Sequence, residues 1–121
     1  MALRAIRAAA RLEADDVDEM RAAVADLLRE VMSRNGIGEE SFVSILFTCT
    51  PDIHSGFPAA AARELGFSDV PLMCAQEMDV VDGMSRVVRM MAYAELDVPR
   101  NQVRHVFLRG AESLRQDLGD D

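Results

Sequence analysis

SRVVRMMAYAEL, residues 85–96, can be read in two ways. Its methionines and alanines suit a helix. Strict alternation instead puts Val87, Arg89, Met91 and Tyr93 on one face of a strand. The choice decides the size of the sheet, because the runs around it already read as short buried strands. These are Ser41–Thr48 (SFVSILFT), Val70–Gln76 (VPLMCAQ) and Val103–Leu108, set among turn signals such as Pro51 and Gly66. Leu3–Arg11 has the same ambiguity: as a helix it groups Arg4, Arg7 and Arg11, as a strand only Arg7 and Arg11.

Two helices are clearer. From Asp16 to Arg34, the residues Val17, Met20, Val24, Leu27, Leu28, Val31 and Met32 recur three or four apart, leaving Arg21, Asp26, Arg29 and Arg34 outside. Asp16 with Glu19 resembles a capping box, and Asn35-Gly36 supplies a stop. A shorter helix is expected over Pro58–Leu65, with proline in the first turn, alanines propagating it and Gly66 ending it. With both ambiguous segments extended, the order is strand, helix, strand, short helix and three strands. That is an α+β fold, a five-stranded mixed sheet covered by one long and one short helix on one side. The other face is left bare and apolar, which points to oligomerisation.

The 121 residues fit a single domain, 1–121, in which residues 110–121 are expected to be a mobile tail. Half the residues are apolar and 28% are charged, and no apolar stretch approaches the ~18 residues of a membrane span. Twenty-one acids against 13 bases leave a net charge of −8, which argues against nonspecific binding to nucleic acid or to an anionic membrane. Every base is arginine. Coding bias explains that, and so does a need for planar, permanently charged anion binders. Cys49 and Cys74 are too few for a disulfide framework and lack metal-site spacing, so a reducing, cytoplasmic location is expected. MALRAIRAAAR at the start has no apolar h-region, and acids begin at Glu13, so neither a secretory signal nor a transit peptide is expected. His54 and His105 lie far apart, the seven glycines form no phosphate loop, and no nucleophile elbow is visible. No metal and no cofactor are expected.

What stands out is polarity inside apolar runs. Cys74, Gln76 and Glu77 interrupt VPLMCAQEMDV, Arg89 sits within VVRMM, and Arg7 follows Ala-Ile. A charge in a buried strand is costly unless paired. Arg89 and Glu77 either form a structural pair or line a cleft, the arginines binding an anion and Glu77 accepting a hydrogen bond from a substrate hydroxyl.

The segments CTPDIHSGFPAAAARELGF (49–67), VPLMCAQEMDVVDGMSRVVRMM (70–91) and DVPRNQVRHVFLRGAESLRQDL (97–118), with the RAIR start, resemble the monofunctional, AroH-class chorismate mutases over nearly the whole chain. The resemblance implies that both ambiguous segments are strands. It also implies a homotrimeric pseudo-α/β barrel with active sites at subunit interfaces, and the cofactor-free pericyclic rearrangement of chorismate to prephenate in aromatic amino-acid biosynthesis. By the same resemblance, Arg89 is the catalytic donor to the ether oxygen and a carboxylate, and Arg7 binds the side-chain carboxylate. Glu77 and the Cys74 region hold the ring hydroxyl, with Glu77 as acceptor. Phe57, Ala59 and Arg63 are wall residues from the adjacent subunit, and Leu114 and Arg115 fold over the occupied site. The chain departs from the family where Phe107 replaces a usual tyrosine, Ala60 a lysine and Met73 a threonine, changes that trim polar contacts around the substrate. A trimeric imine deaminase of the Rid (YjgF-like) superfamily and a non-catalytic metabolite-binding trimer are the alternatives.

Overall fold

The computed structural model describes residues 2–117, those from 115 onward by their backbone alone. The order is β1 (Leu3–Arg11), α1 (Val17–Asn35), β2 (Phe42–Cys49), α2 (Pro58–Glu64), β3 (Leu72–Gln76), β4 (Val87–Glu95) and β5 (Val106–Leu108). The five strands form one sheet in the order β3-β2-β4-β1-β5. β4 is antiparallel to both neighbours, whereas β2–β3 and β1–β5 are parallel pairs, so β4 alone runs against the rest. The 85–96 stretch is therefore the central strand. Pairing along both of its edges outweighs the helical leaning of its methionines and alanines.

The pleat of β4 sorts the sheet into two faces. Val88, Met90, Ala92 and Ala94 are buried under the helices with Ile6, Ala8 and Ala10 of β1 and Ile45 and Phe47 of β2. From α1, Met20, Ala23, Val24, Leu27, Leu28 and Val31 complete this core. Each such leucine or valine contributes about 1.5–3 kcal/mol on burial. The opposite face carries Arg7 and Ala9, Val87, Arg89, Met91 and Tyr93, Leu46 and Thr48, Met73, and Phe107. No helix covers it. Met73 remains 67% exposed and Leu3 58%.

α1 is held at both ends. Asp16 Oδ2 accepts from the Glu19 N–H at 2.9 Å. Glu19 does not turn back to the Asp16 N–H as a capping box would. Its carboxylate accepts from the N–H groups of Glu13 and Ala14, securing the β1–α1 connection. Gly36 closes the other end at φ 64°, a left-handed conformation suited to glycine, and the Ile37 N–H reaches the Met32 carbonyl at 3.1 Å. Asp16→Ala is expected to cost about 1 kcal/mol of stability, read from denaturant midpoints. Of the segment after Gly110, Glu112–Asp117 forms a 3-10 helix, and Leu114 packs against Ala9, Val87, Phe107 and Ala111. Residues 118–121 lie outside the described residues.

Candidate active site

Alternation along β4 delivers Arg89 to the uncovered face. There it stands between Ala9 of β1 and Thr48 of β2. The alanine leaves the floor open beside the guanidinium, and the threonine offers a hydroxyl. Arg7 lies two residues before Ala9, on the same face, and its guanidinium carbon is 5.7 Å from the centroid of the Phe107 ring, within cation–π range. The Arg7 backbone N–H donates to His105 Nδ1 at 3.0 Å, which ties β1 to the approach to β5. Arg7, Arg89, Phe107, Thr48 and Leu46 line a cavity of about 210 Å³.

Glu77 enters from the end of β3. Its N–H donates to the Cys49 carbonyl at 2.9 Å, extending the strand pairing by one step and setting its side chain over Thr48. Thr48 Oγ1 donates to Glu77 Oε2 at 2.5 Å, and the same oxygen lies 2.9 Å from Arg89 Nε. The Arg89 contact is an ion pair without hydrogen-bond alignment, so Nε is a buried donor that lacks a directed acceptor. A buried donor in that state is costly and readily satisfied by a ligand oxygen. Among the described residues, the hydrogen bond and the ion pair of the Glu77 carboxylate both use Oε2.

Arg89 and Glu77 also border a larger cavity of about 670 Å³, lined by Thr50, Asp52 and the 78–85 loop. Met78 and Val81 on that loop are exposed, Val81 at 96%. This larger cavity is lined by Asp52, Glu77 and Asp79 against Arg89. The smaller one is lined by two guanidinium groups and, among the described residues, no carboxylate, so it is the smaller cavity, with Glu77 at its edge on Arg89, that is cationic inside an acidic chain. It can receive an anion, hold it by paired donors and accept one hydroxyl hydrogen at Glu77.

Met73, in register with Leu46, shares the Arg89 face, whereas several other expected site residues lie elsewhere. Cys74 pairs with Phe47 in register and so faces the helices, away from Arg89. Its Sγ accepts from the Ala59 N–H at 3.4 Å, fastening the first turn of α2 to β3. Cys74 and Phe57 line a separate cavity of about 190 Å³, with Phe57 72% exposed. Arg63 is exposed near the end of α2. Leu114 adjoins Phe107 and Ala9, whereas the side chain of Arg115 lies outside the described residues. Burial, then the nearby Cys74, Glu77 and Asp15, push the Cys49 thiol up to about 12, so it stays protonated near neutral pH.

Sequence reasoning did not single out Thr48 or the cluster of Thr50, Asp52 and Arg86. Thr48 sits inside an apolar run as Arg89 does, and only the strand register reveals that the two are neighbours. Asp52 accepts hydrogen bonds from the Thr50 hydroxyl and the Arg86 N–H. Those bonds, the hydroxyl first, hold its carboxyl below the usual range.

Residues 3–118 match the family described as chorismate mutase type I. The chain is 41% identical to chorismate mutase AroH of Bacillus subtilis (strain 168) over 119 residues, 98% of this chain and 94% of that one. It is likewise 41% identical to chorismate mutase AroH of Thermus thermophilus over 117 residues, 96% of each chain. Among solved structures, a chorismate mutase from Clostridium thermocellum superposes with a TM-score of 0.87 at 37% identity, covering 90% of this chain and 97% of the other. The imine-deaminase alternative draws no support from these similarities. A match over nearly the full length, joined to a five-stranded mixed sheet that presents Arg7 and Arg89 on one face, makes this chain a member of the type I chorismate mutase family and an enzyme of the isomerase class.

Proposed function

We propose that Arg89 is the centre at which this chain rearranges chorismate to prephenate. In that step the ether C–O bond breaks, a C–C bond forms within the same molecule, and no proton or electron leaves. Negative charge grows on the ether oxygen as the C–O bond stretches. A fixed donor at that oxygen is the most effective form of catalysis available. The observation that carries the assignment is the buried Arg89 Nε with no aligned acceptor, beside a carboxylate, on a side chain that lines two cavities. Arg7, stacked on Phe107, binds a substrate carboxylate, and Glu77 accepts from the ring hydroxyl. Binding the dianion in its chair-like form accounts for the rest of the rate.

The site is completed by a second copy of the chain in a homotrimer. Within one chain, Cys74, Phe57 and Ala59 lie on the opposite side of the sheet from Arg89, so one subunit cannot arrange them around one ligand. The bare face with Leu3, Met73 and Tyr93 is apolar enough to be covered by neighbours. In this arrangement Phe57, Ala59 and Arg63 form the wall from the adjacent subunit, the Cys74 region with Met73 joins Glu77 around the ring hydroxyl, and Leu114 and Arg115 close over the ligand. The test is a chorismate-consumption assay with identification of prephenate, run beside sedimentation of the native assembly. Turnover by a trimer is expected. Inert chorismate would overturn the activity, and a stable, active monomer would overturn the shared site.

A further inference from the structure

Arg86 is one of two non-glycine residues with a left-handed backbone among those described, at φ 53°. An arginine does not hold that conformation unaided. Here it is clamped from both sides. Its carbonyl accepts from the Leu12 N–H at 2.7 Å and its Nε donates to the Leu12 carbonyl at 3.0 Å, which ties it to the end of β1. On the β2 side, its N–H donates to both oxygens of Asp52, at 3.2 and 3.0 Å. Asp52 Oδ1 also receives the Thr50 hydroxyl at 2.6 Å, and that same hydroxyl oxygen accepts from the Val87 N–H at 2.9 Å. The Thr50 N–H in turn donates to the Val87 carbonyl at 3.0 Å. Thr50 is the one buried polar residue among those described.

This network closes around the first two residues of the β4 entry, and Arg89 follows two positions after Val87. We infer that Asp52, acting with Thr50, is a positioning residue for Arg89: it holds Arg86 left-handed and thereby sets where β4 starts and how the Arg89 side chain is aimed. The inference rests on Arg89 being the donor proposed above. Asp52 borders the larger cavity, but its carboxylate is engaged by the Thr50 hydroxyl and the Arg86 N–H. It therefore acts on Arg89 through the backbone, and its loss lowers the chemical step and leaves binding largely alone. A donor displaced by a fraction of an ångström from the forming charge loses rate before it loses ground-state affinity.

The test compares Asp52→Asn, Arg86→Gly and the double variant at saturating chorismate, in samples whose circular dichroism and assembly match the parent protein. An asparagine keeps the shape but offers one acceptor oxygen in place of two. Glycine adopts a left-handed φ without an anchor. Asp52→Asn is expected to lower kcat about tenfold with KM within about threefold. Arg86→Gly should stay within about threefold of the parent, and the double variant should match Arg86→Gly. That rescue separates positioning from general destabilisation, because glycine removes the need for the anchor and restores no contact. An unchanged kcat in Asp52→Asn, a rise in KM alone, or a double variant no faster than Asp52→Asn would overturn the inference. Should Asp52→Asn alone not fold, the comparison is made within the Arg86→Gly background, where retained kcat supports the role and a tenfold loss overturns it. A parent protein that leaves chorismate untouched would remove the proposed function itself, a result distinct from any of these.

Discussion

Arg89→Ala is expected to lower kcat/KM for chorismate by at least about a thousandfold while leaving the fold in place. Removing a single donor from a developing oxyanion costs about 2.7–4 kcal/mol, which is already a hundred- to thousandfold in rate. Arg89 supplies a permanent charge as well as a donor fork, so the loss should reach or exceed that range. The alanine variant also strands Glu77, whose side chain is 16% exposed and has Thr48 as its other partner. Leaving a partly buried carboxylate without its cation destabilises the site in its own right. Arg89→Lys separates the two effects, because it keeps a positive charge beside Glu77 but lacks the planar fork. It should fold like the parent protein and still be at least about a hundredfold slower. Lysine activity within tenfold of the parent would mean that charge alone suffices, and near-normal turnover by the alanine variant would sink the mechanism.

Phe47→Ala should produce the largest loss of stability. Phe47 has no exposed surface and stands in register between Met90 of β4 and Cys74 of β3, on the face that α1 and α2 cover. Truncating such a ring removes its transfer free energy and leaves a cavity that the strand backbones cannot close. The combined cost is about 3–5 kcal/mol. Denaturant midpoints at one fixed protein concentration are the measurement, since assembly couples to folding. The turnover of the fraction that remains folded should change little, because Phe47 and Arg89 occupy opposite faces of the sheet. A loss below about 1 kcal/mol would mean that Phe47 is not the core residue its burial indicates.

The two helices show which parts of a fold are written locally. α1 has a complete amphipathic period, an acidic cap and a stop glycine within one contiguous segment, so its limits follow from nearest-neighbour chemistry. The strands are different. Val87–Glu95 is extended because β1 and β2 pair with both of its edges, and those partners lie far away in sequence. Pattern alone left the segment open, and only the match of several motifs to one family pointed to a strand. The site divides in the same way. Arg7, Glu77 and Arg89 were conspicuous as charges within apolar runs, since burying a charge without a purpose or a partner is costly. Thr48 gave no such signal, because a threonine in a strand is unexceptional.

By itself, then, the sequence determined the long helix, the acidic surface and the three charged residues that apolar neighbours force into a special environment. These follow from short-range periodicity and from the cost of burying charge. Only the tertiary structure decided that Arg89 meets Thr48 and Glu77, that Cys74 turns to the helix side, and that Asp52 grips the backbone at the entrance to the central strand. Strand register makes those choices. A shift of one residue would exchange the two faces of the sheet, and register is set by pairing between segments that have no contact along the chain.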